Sequence, residues 1–545
     1  MAGEGREWWK RSVIYEISVW GFSDSNGDGI GDLRGVIDNL DYINDGTPDS
    51  LGADAIWLMP IYKSPGLDFG YDVSDYYSID PRFGSMEDFE ELLEACHRRG
   101  VKVIMDMVLN HTSIEHPWFV ESRSSRDNPR RDWYVWRNGR SPGKPPNRWL
   151  AVVEGSAWER DDATRQYFYH AFLPCQPDLN WRNPEVREAM FGVVRFWLDK
   201  GVDGFRLDLI NFLYEDSLLR ENPRKFGARP YDWQRHLYDR SQPESLEAAK
   251  ELRRITDGYP ERMIMGEVYT DTPEDAVAYL GDGTDALHLS FYLDFAERKW
   301  RAEGFRESVD WLEEHIPPAG WPCYYLNNHD LVRSYTRLGK GGDADARAKV
   351  AAAMMFTLRG TPIIYYGEEI GMPASKVPRK IMLDPVGKKF WPLDVGRDKS
   401  RTPMQWNGER HAGFSRAEPY LPVDPSRAER NVERQDGDPA SLLNWYRRLV
   451  WTRKEKPALQ AGSYRAISGV PKGVFAYLRE LGEERIAVLL NFTAVQVTLP
   501  DQRNVLGGGA WKTLFSTHGG EGAEADSASM RLQPDQALVL ESGAP

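Results

Sequence analysis

Ser85–Val108 reads SMEDFEELLEACHRRGVKVIMDMV, and its two halves follow different rules. From Ser85 the apolar residues recur with helical spacing. Ser85 with Asp88 makes an N-terminal capping pattern and Gly100 offers a C-terminal stop, which together predict a helix. Val101–Val108 (VKVIMDMV) is a short, nearly continuous apolar run, the mark of a strand covered on both faces. A helix that feeds directly into a buried strand is half of a parallel β/α unit.

The same run recurs along the chain. Upstream lie Val13–Val19 (VIYEISV) and Ala55–Pro60 (AIWLMP); downstream lie Gly204–Ile210 (GFRLDLI), Met263–Val268 (MIMGEV), Ala286–Tyr292 (ALHLSFY), Cys323–Asn327 (CYYLN) and Pro362–Tyr366 (PIIYY). Helical segments separate them, such as the one opening at Pro184 in NPEVREAMFGVVRFWLDKG. Eight strands with helical returns predict an α/β fold, a closed (β/α)8 TIM barrel, whose minimal form takes roughly 250 residues. The chain has 545, so insertions and a further domain are expected.

The expected layout is a barrel first part at 1–108, a loop-rich insertion at 109–173 after the third strand, a barrel second part at 174–464, and a C-terminal antiparallel β-sandwich at 465–545. Short alternating runs such as GVFAYLRE and RIAVLLNF mark the last of these. The polar stretch from Gly371 to Gln435 reads as loops laid over the barrel mouth.

Composition narrows the partners. Hydrophobic residues make up 41% and charged residues 28%, which excludes wholesale disorder and fibrous architectures. A formal charge of −14 disfavours nucleic acid and anionic membrane surfaces as partners, leaving a small, neutral molecule. Aromatics at 12%, including 20 Trp, suit the apolar faces of sugar rings. Three widely spaced cysteines form neither a zinc knuckle nor a disulfide framework, and no leader-like or membrane-length apolar run is present, so a cytoplasmic location is expected.

In such a barrel the chemistry sits at the carboxyl ends of the strands. Asp106 and His111 close the third strand, Arg206 and Asp208 the fourth, Glu267 the fifth, and His329 with Asp330 the seventh. Any one of these is more readily read as a loop cap or an ion pair, but three acids crowded on one ring repel each other unless a substrate uses them. Glycoside cleavage needs one carboxylate at the anomeric carbon and one carboxylic acid for the departing oxygen. Neighbouring strands four and five bring Asp208 and Glu267 to the roughly 5–5.5 Å of a retaining mechanism. Arg206, two residues before Asp208 on the same strand face, is expected to lower its pKa. The apolar neighbours of Glu267 fit a raised one.

DMVLNH (Asp106–His111), GFRLD (Gly204–Asp208), GEV (Gly266–Val268) and NNHD (Asn327–Asp330) resemble, in order and spacing, the four signature regions of glycoside hydrolase family 13, the α-amylase family. QPDLN (Gln176–Asn180) and SRTPMQW (Ser400–Trp406) resemble markers of its oligo-1,6-glucosidase and α-glucosidase subfamily. The resemblance implies Asp208 as nucleophile, Glu267 as acid/base and Asp330 as transition-state stabiliser. It also implies a pocket for a terminal glucose made by Asp68, Tyr71, His111, Phe172, Gln176, Arg206, His329 and Arg401. Leu209 departs from the residues that accompany either α-1,6 or α-1,4 preference, so linkage stays open.

A second pattern lies near the start. Asp24, Asn26, Asp28, Ile30 (through its carbonyl) and Asp32 place oxygen ligands at alternate positions among glycines, as a structural Ca2+ favours, and the loop resembles the calcium loop of the same subfamily. Gly35 stands where an EF-hand has its bidentate Glu, and the bland alternative is a glycine-rich Asx turn without metal.

The leading expectation is therefore a retaining, exo-acting α-glucosidase on short α-glucosides, requiring no organic cofactor. The runner-up is an α-glucosyl transferase or isomerase of trehalose synthase type, in which a sugar replaces water. A non-catalytic relative or binding module does not call for an acid beside a nucleophile.

Overall fold

A computed structural model describes residues 7–153, 155–270, 272–506 and 510–542. The first residues of the stretch read for a leader lie outside them. Eight strands make one parallel sheet: β1 Ile14–Ile17, β2 Ala55–Leu58, β3 Lys102–Val108, β4 Gly204–Asp208, β5 Met263–Gly266, β6 Leu289–Ser290, β7 Cys323–Tyr325 and β8 Thr361–Tyr365. Their order, β6-β5-β4-β3-β2-β1-β8-β7, joins first strand to last, and among the described residues only the junction between β6 and β7 has no ladder. This is the TIM barrel the sequence predicts. The sixth strand is shorter than Ala286–Tyr292, because the His288 imidazole takes the Ile264 N–H that a longer ladder would use.

Alternation along the strands sorts the side chains into two bodies. Ile14, Trp57, Ile104, Met263, Met265 and Ile363 form the plug inside the barrel. The intervening Tyr15, Ile56, Val103, Phe205, Ile264 and Ile364 pack outward into the larger core. Two residues on from Ile14, Ile104 and Gly204, the same inner face carries Glu16, Asp106 and Arg206, all buried. A charged layer thus sits above an apolar plug, and Asp106 and Arg206 are register partners across β3 and β4.

The helices fix the strand ends. Met86–Arg98 opens on a capping box in which Ser85 Oγ accepts the Asp88 N–H (3.3 Å) and Asp88 accepts the Ser85 N–H (2.8 Å), and Gly100 follows at φ 71°. Pro184–Asp199 starts with Pro at its first position behind an Asn183 cap. Between β3 and β4 lie a helix at Pro117–Ser124, whose Phe119 joins the larger core, and a small antiparallel sheet of Trp136–Arg137, Trp158–Arg160 and Tyr167–Tyr169, whose Trp158, Tyr167 and Tyr169 enter a separate aromatic-rich cluster.

At the C-terminal end, β9 Ser463–Ala466, β10 Val474–Leu481, β11 Glu484–Asn491, β12 Trp511–Ser516, β13 Glu524–Ala525 and β14 Ala537–Ser542 form an antiparallel sheet in the order β9-β10-β11-β14-β12-β13. Phe475, Tyr477, Val488 and Val539 join the core shared with the barrel. Val474, Ala476, Leu478 and Leu540 face a separate cluster, which Leu532 of a two-stranded ribbon helps to cover. Two buried arginines converge on the end of helix Ala344–Thr357, and one of them, Arg479, ties the C-terminal sheet to the barrel. Arg453 donates to the Phe356, Leu358 and Gly360 carbonyls, and Arg479 to those of Thr357 and Gly462. The Phe356, Thr357 and Leu358 carbonyls lie where the helix leaves acceptors unpaired and its dipole favours cations.

Candidate active site

The carboxyl ends of the strands open onto a cavity of about 390 Å³. Asp208, Glu267 and Asp330 line it, with Asp68, Tyr71, His111, Phe172 and Gln176. Arg206, His329 and Arg401 do not reach its wall; they stand behind the lining residues and hold them.

Arg206 is the hub. Its side chain is fully buried, and Nη1 donates to Asp208 Oδ1 (2.6 Å), to Asp106 Oδ1 (2.8 Å) and to the Tyr71 hydroxyl (3.3 Å), while Nη2 donates to Glu267. One permanent charge therefore serves three carboxylates. Asp208 Oδ2 has no hydrogen-bond partner among the described residues.

That unequal ratio sets the proton affinities. Burial pushes Asp208 up to about 7 against the attraction of Arg206, with the Asp106 charge adding to the rise. Arg206 does lower the Asp208 pKa as expected, but the expected net fall is corrected: burial outweighs a guanidinium that is shared three ways. Glu267 is also pushed up to about 7, by burial first and then by Asp208 and Asp330, as its apolar neighbours suggest. Asp330 goes the other way. Burial would raise it, but His329, Arg397 and Arg401 hold its carboxyl well below the usual range.

The opposite wall is a second network. Arg401 donates to Asp330 Oδ1 at 2.7 Å and to the His329 carbonyl at 3.0 Å. Arg397 donates to Asp330 Oδ1 at 3.2 Å, to Asp68 Oδ1 at 2.6 Å and to Asp384 Oδ1 at 2.9 Å. Gln176 donates to Asp68 Oδ2 at 3.1 Å. His111 Nε2 lies 3.1 Å from the Tyr71 carbonyl, and its ring stands 5.6 Å from that of Phe172.

Sequence reasoning missed Arg397, which reaches the cavity where Arg401 was expected to. It also missed Glu16, whose Oε1 lies 2.7 Å from His329 Nδ1. Glu16 carried a signal, since an acid inside the run VIYEISV needs a partner. Arg397 carried none, because its partners lie 13 (Asp384) and 329 (Asp68) residues away.

Directly after Asp208, Leu209 adopts a left-handed conformation (φ 45°), and the Ile210 N–H donates to the Glu267 carbonyl at 3.1 Å. A non-glycine residue there stores roughly 1–3 kcal/mol of strain. It turns the chain sharply at the cavity and brings the ends of β4 and β5 together.

The loop at Asp24–Asp32 closes on itself. Asp24 accepts from the Gly27 N–H (2.6 Å), the Gly29 N–H (2.8 Å) and Ser415 Oγ (2.5 Å); Asp32 accepts from Ser25 and caps the next helix through Gly35 N–H (2.6 Å). Asn26 and Asp28 accept the N–H groups of Asp28 and Ile30. The donor set is of the all-oxygen type that a hard cation takes. As placed, its carboxylates do not converge, and no group of three His, Cys, Asp or Glu side chains among the described residues is arranged to hold a metal. No helix among them is long and apolar enough to cross a membrane.

Comparison with known proteins gives one consistent result. The family model described as the α-amylase catalytic domain matches residues 16–462. A probable α-glucosidase of Rhizobium meliloti is 43% identical over 91% of this chain and 92% of its own length. An oligo-1,6-glucosidase of Parageobacillus thermoglucosidasius is 39% identical over 90% and 91%. The crystal structure of an α-glucosyl transfer enzyme superposes with a TM-score of 0.90 at 40% identity, covering 98% of this chain and 99% of that one.

Proposed function

The chain belongs to the α-amylase family of glycoside hydrolases, and from that premise we propose that it is a retaining, exo-acting α-glucosidase of short α-glucosides. The observation that carries this reading is the unpartnered Asp208 Oδ2 on a cavity that it shares with Glu267, whose carboxyl burial pushes up to about 7. In the first step Asp208 Oδ2 bonds to the anomeric carbon, the glycosidic C–O bond breaks, and Glu267 passes its proton to the departing oxygen. In the second, Glu267 takes a proton from water, whose oxygen displaces Asp208 and restores the starting configuration. Asp330, kept ionised by its arginines, stabilises the positive charge that develops on the sugar.

The Asp68–Arg397–Asp330 network, with Gln176 and His111, offers paired donors and acceptors to the hydroxyls of one terminal glucose. Asp208, once the sugar has approached, gives up part of the Arg206 attraction to the new bond. A second reading, α-glucosyl transfer to a sugar acceptor, shares the first step, and the likeness to the α-glucosyl transfer enzyme favours it as the alternative. Calcium at Asp24–Asp32 is proposed on ligand type alone, as a structural ion outside the chemistry.

Proton NMR of the first sugar released from an α-glucoside tests the scheme: α-glucose is expected, and β-glucose sinks retention. Asp208→Asn should lower turnover at least about a thousandfold. A disaccharide appearing in place of glucose from maltose or isomaltose would select the transfer reading.

A further inference from the structure

The cavity lining combines hydrogen-bonded polar groups with a set of apolar side chains. Its catalytic and sugar-binding groups are tied to each other by hydrogen bonds, through Arg206 on one wall and Arg397 on the other. Val152, Leu209, Tyr269 and Val386 line the same cavity but belong to the apolar cluster of the insertion. Leu293 and Leu331 line it too and pack on the barrel plug. Six separate segments thus bring apolar side chains to one cavity, with Asp208 and Glu267.

Two ionic groups share this region. Arg229 is engaged with Asp232 and lies 3.4 Å from the Tyr269 hydroxyl. Burial raises the Glu297 carboxyl above its usual range, although Arg229 and Arg337 attract it. The segments that supply Arg229 and Val395 to the cavity also carry large apolar side chains in solvent: Phe226 is fully exposed, Trp233 52%, Trp391 46% and Leu393 63% exposed. The apolar character therefore continues outward along the chain from the cavity lining.

A glucose ring, rich in hydroxyls, matches the hydrogen-bonded walls and leaves this surface uncovered. The group attached at its anomeric oxygen must lie beside Leu209, the residue next to the nucleophile. We propose that the leaving-group side of the cavity is a subsite for an apolar aglycone, so that alkyl and aryl α-glucosides are preferred over glucosides with a small or strongly hydrated aglycone. The proposal rests on the α-glucosidase reading and adds the substrate class. Burying each methylene against such a wall favours the bound state.

A chain-length series tests it with a leaving oxygen of nearly constant acidity: methyl, butyl, hexyl and octyl α-glucoside, scored as kcat/KM by glucose release, with maltose alongside. The expected result is a rise from methyl to hexyl of up to about fourfold per methylene, the ceiling set by full burial. Val152→Ser and Val386→Ser should flatten that rise. The slope is read within each variant, with methyl α-glucoside as reference, so a loss of folded enzyme cancels. A flat or falling wild-type series with methyl α-glucoside and maltose cleaved overturns the apolar subsite and leaves the α-glucosidase reading intact. A rise that both serine variants preserve overturns the assignment to this wall. Failure to cleave any member of the series, or maltose, overturns the reading beneath it.

Discussion

The Tyr71 hydroxyl stands 2.8 Å from His329 Nε2, with the two rings stacked 5.4 Å apart at 19°. The same hydroxyl donates its hydrogen to Asp106 Oδ2 at 2.9 Å, so Nε2 must supply the hydrogen between the two rings. Burial keeps His329 well below its usual pKa and therefore neutral, which leaves Nδ1 bare. Glu16, 2.7 Å away and pushed well above the usual carboxylate range by burial, must then be the donor.

This proton order predicts an unusual tolerance. Glu16→Gln keeps a donor facing Nδ1 and should retain activity within about tenfold. Glu16→Leu leaves the imidazole unpaired, and should cost about 1–3 kcal/mol of stability together with a larger fall in kcat/KM. Urea titration and steady-state kinetics on the two variants check it; equal damage from both would refute a protonated Glu16.

Arg206 serves three carboxylates with one planar fork, and a lysine cannot reproduce that geometry. Arg206→Lys should lower kcat/KM by about a hundredfold or more, comparable to the loss of other groups that orient a nucleophile. The pH profile is the finer readout. In the wild type kcat/KM should be bell-shaped, its alkaline limb near 7 as Glu267 loses its proton and its acid limb reporting the gain of a second proton by the Asp208–Glu267 pair. The lysine variant should move both limbs.

The same pair makes stability depend on pH in a defined direction. In the folded chain the Asp208 and Glu267 carboxyls are raised to about 7, while unfolded carboxyls release their protons near the ordinary 3.8 and 4.5. Between those limits the native state binds more protons, so the stability these groups contribute is present below the unfolded values and is lost as pH rises through the folded ones. Asp330 runs the opposite way: its stabilisation is present above its unfolded value and is lost on acidification. Glu267→Gln should therefore melt about 2–4 °C above the wild type near pH 8, with the gap closing toward about pH 4. Differential scanning calorimetry at the two pH values decides it.

Chelation tests the loop at Asp24–Asp32. If it holds calcium, elemental analysis should find one ion per chain, and chelator should lower the temperature of heat inactivation. An unchanged inactivation profile and no bound metal would leave the Asx hydrogen bonds as a sufficient account of the loop.

Arg479 reaches two buried carbonyls from β10, one on the barrel helix and one before β9. Arg479→Met should destabilise the chain by about 2–4 kcal/mol, because both acceptors are left dry. Chemical denaturation followed by fluorescence should show a lower midpoint, and a single transition if barrel and sheet unfold as one.

The fold was legible because a strand buried on both faces is written as an apolar run, as VKVIMDMV and GFRLDLI are. The sixth strand was overestimated because burial persists at Ala286, Leu287 and Tyr292, where the ladder does not. At the site, strand-end residues such as Asp208 and Glu267 stood out against apolar neighbours. Arg397 did not, since its loop has no period and its position depends on Asp68 and Asp384 rather than on local sequence. The Asp208 pKa was misjudged for a related reason: adjacency in sequence shows that Arg206 is near, but not that Asp106 and Glu267 share it.

The two-faced sheet at the C-terminal end has an implication for how this molecule can be cut and rejoined. One of its faces is shared core with the barrel, and Arg479 stitches the seam to the Thr357 carbonyl. A chain severed at about residue 462 would bare a greasy flank and strip the Thr357 carbonyl of its cation, so recombination between relatives at that point should yield aggregates unless both sides of the seam come from the same parent.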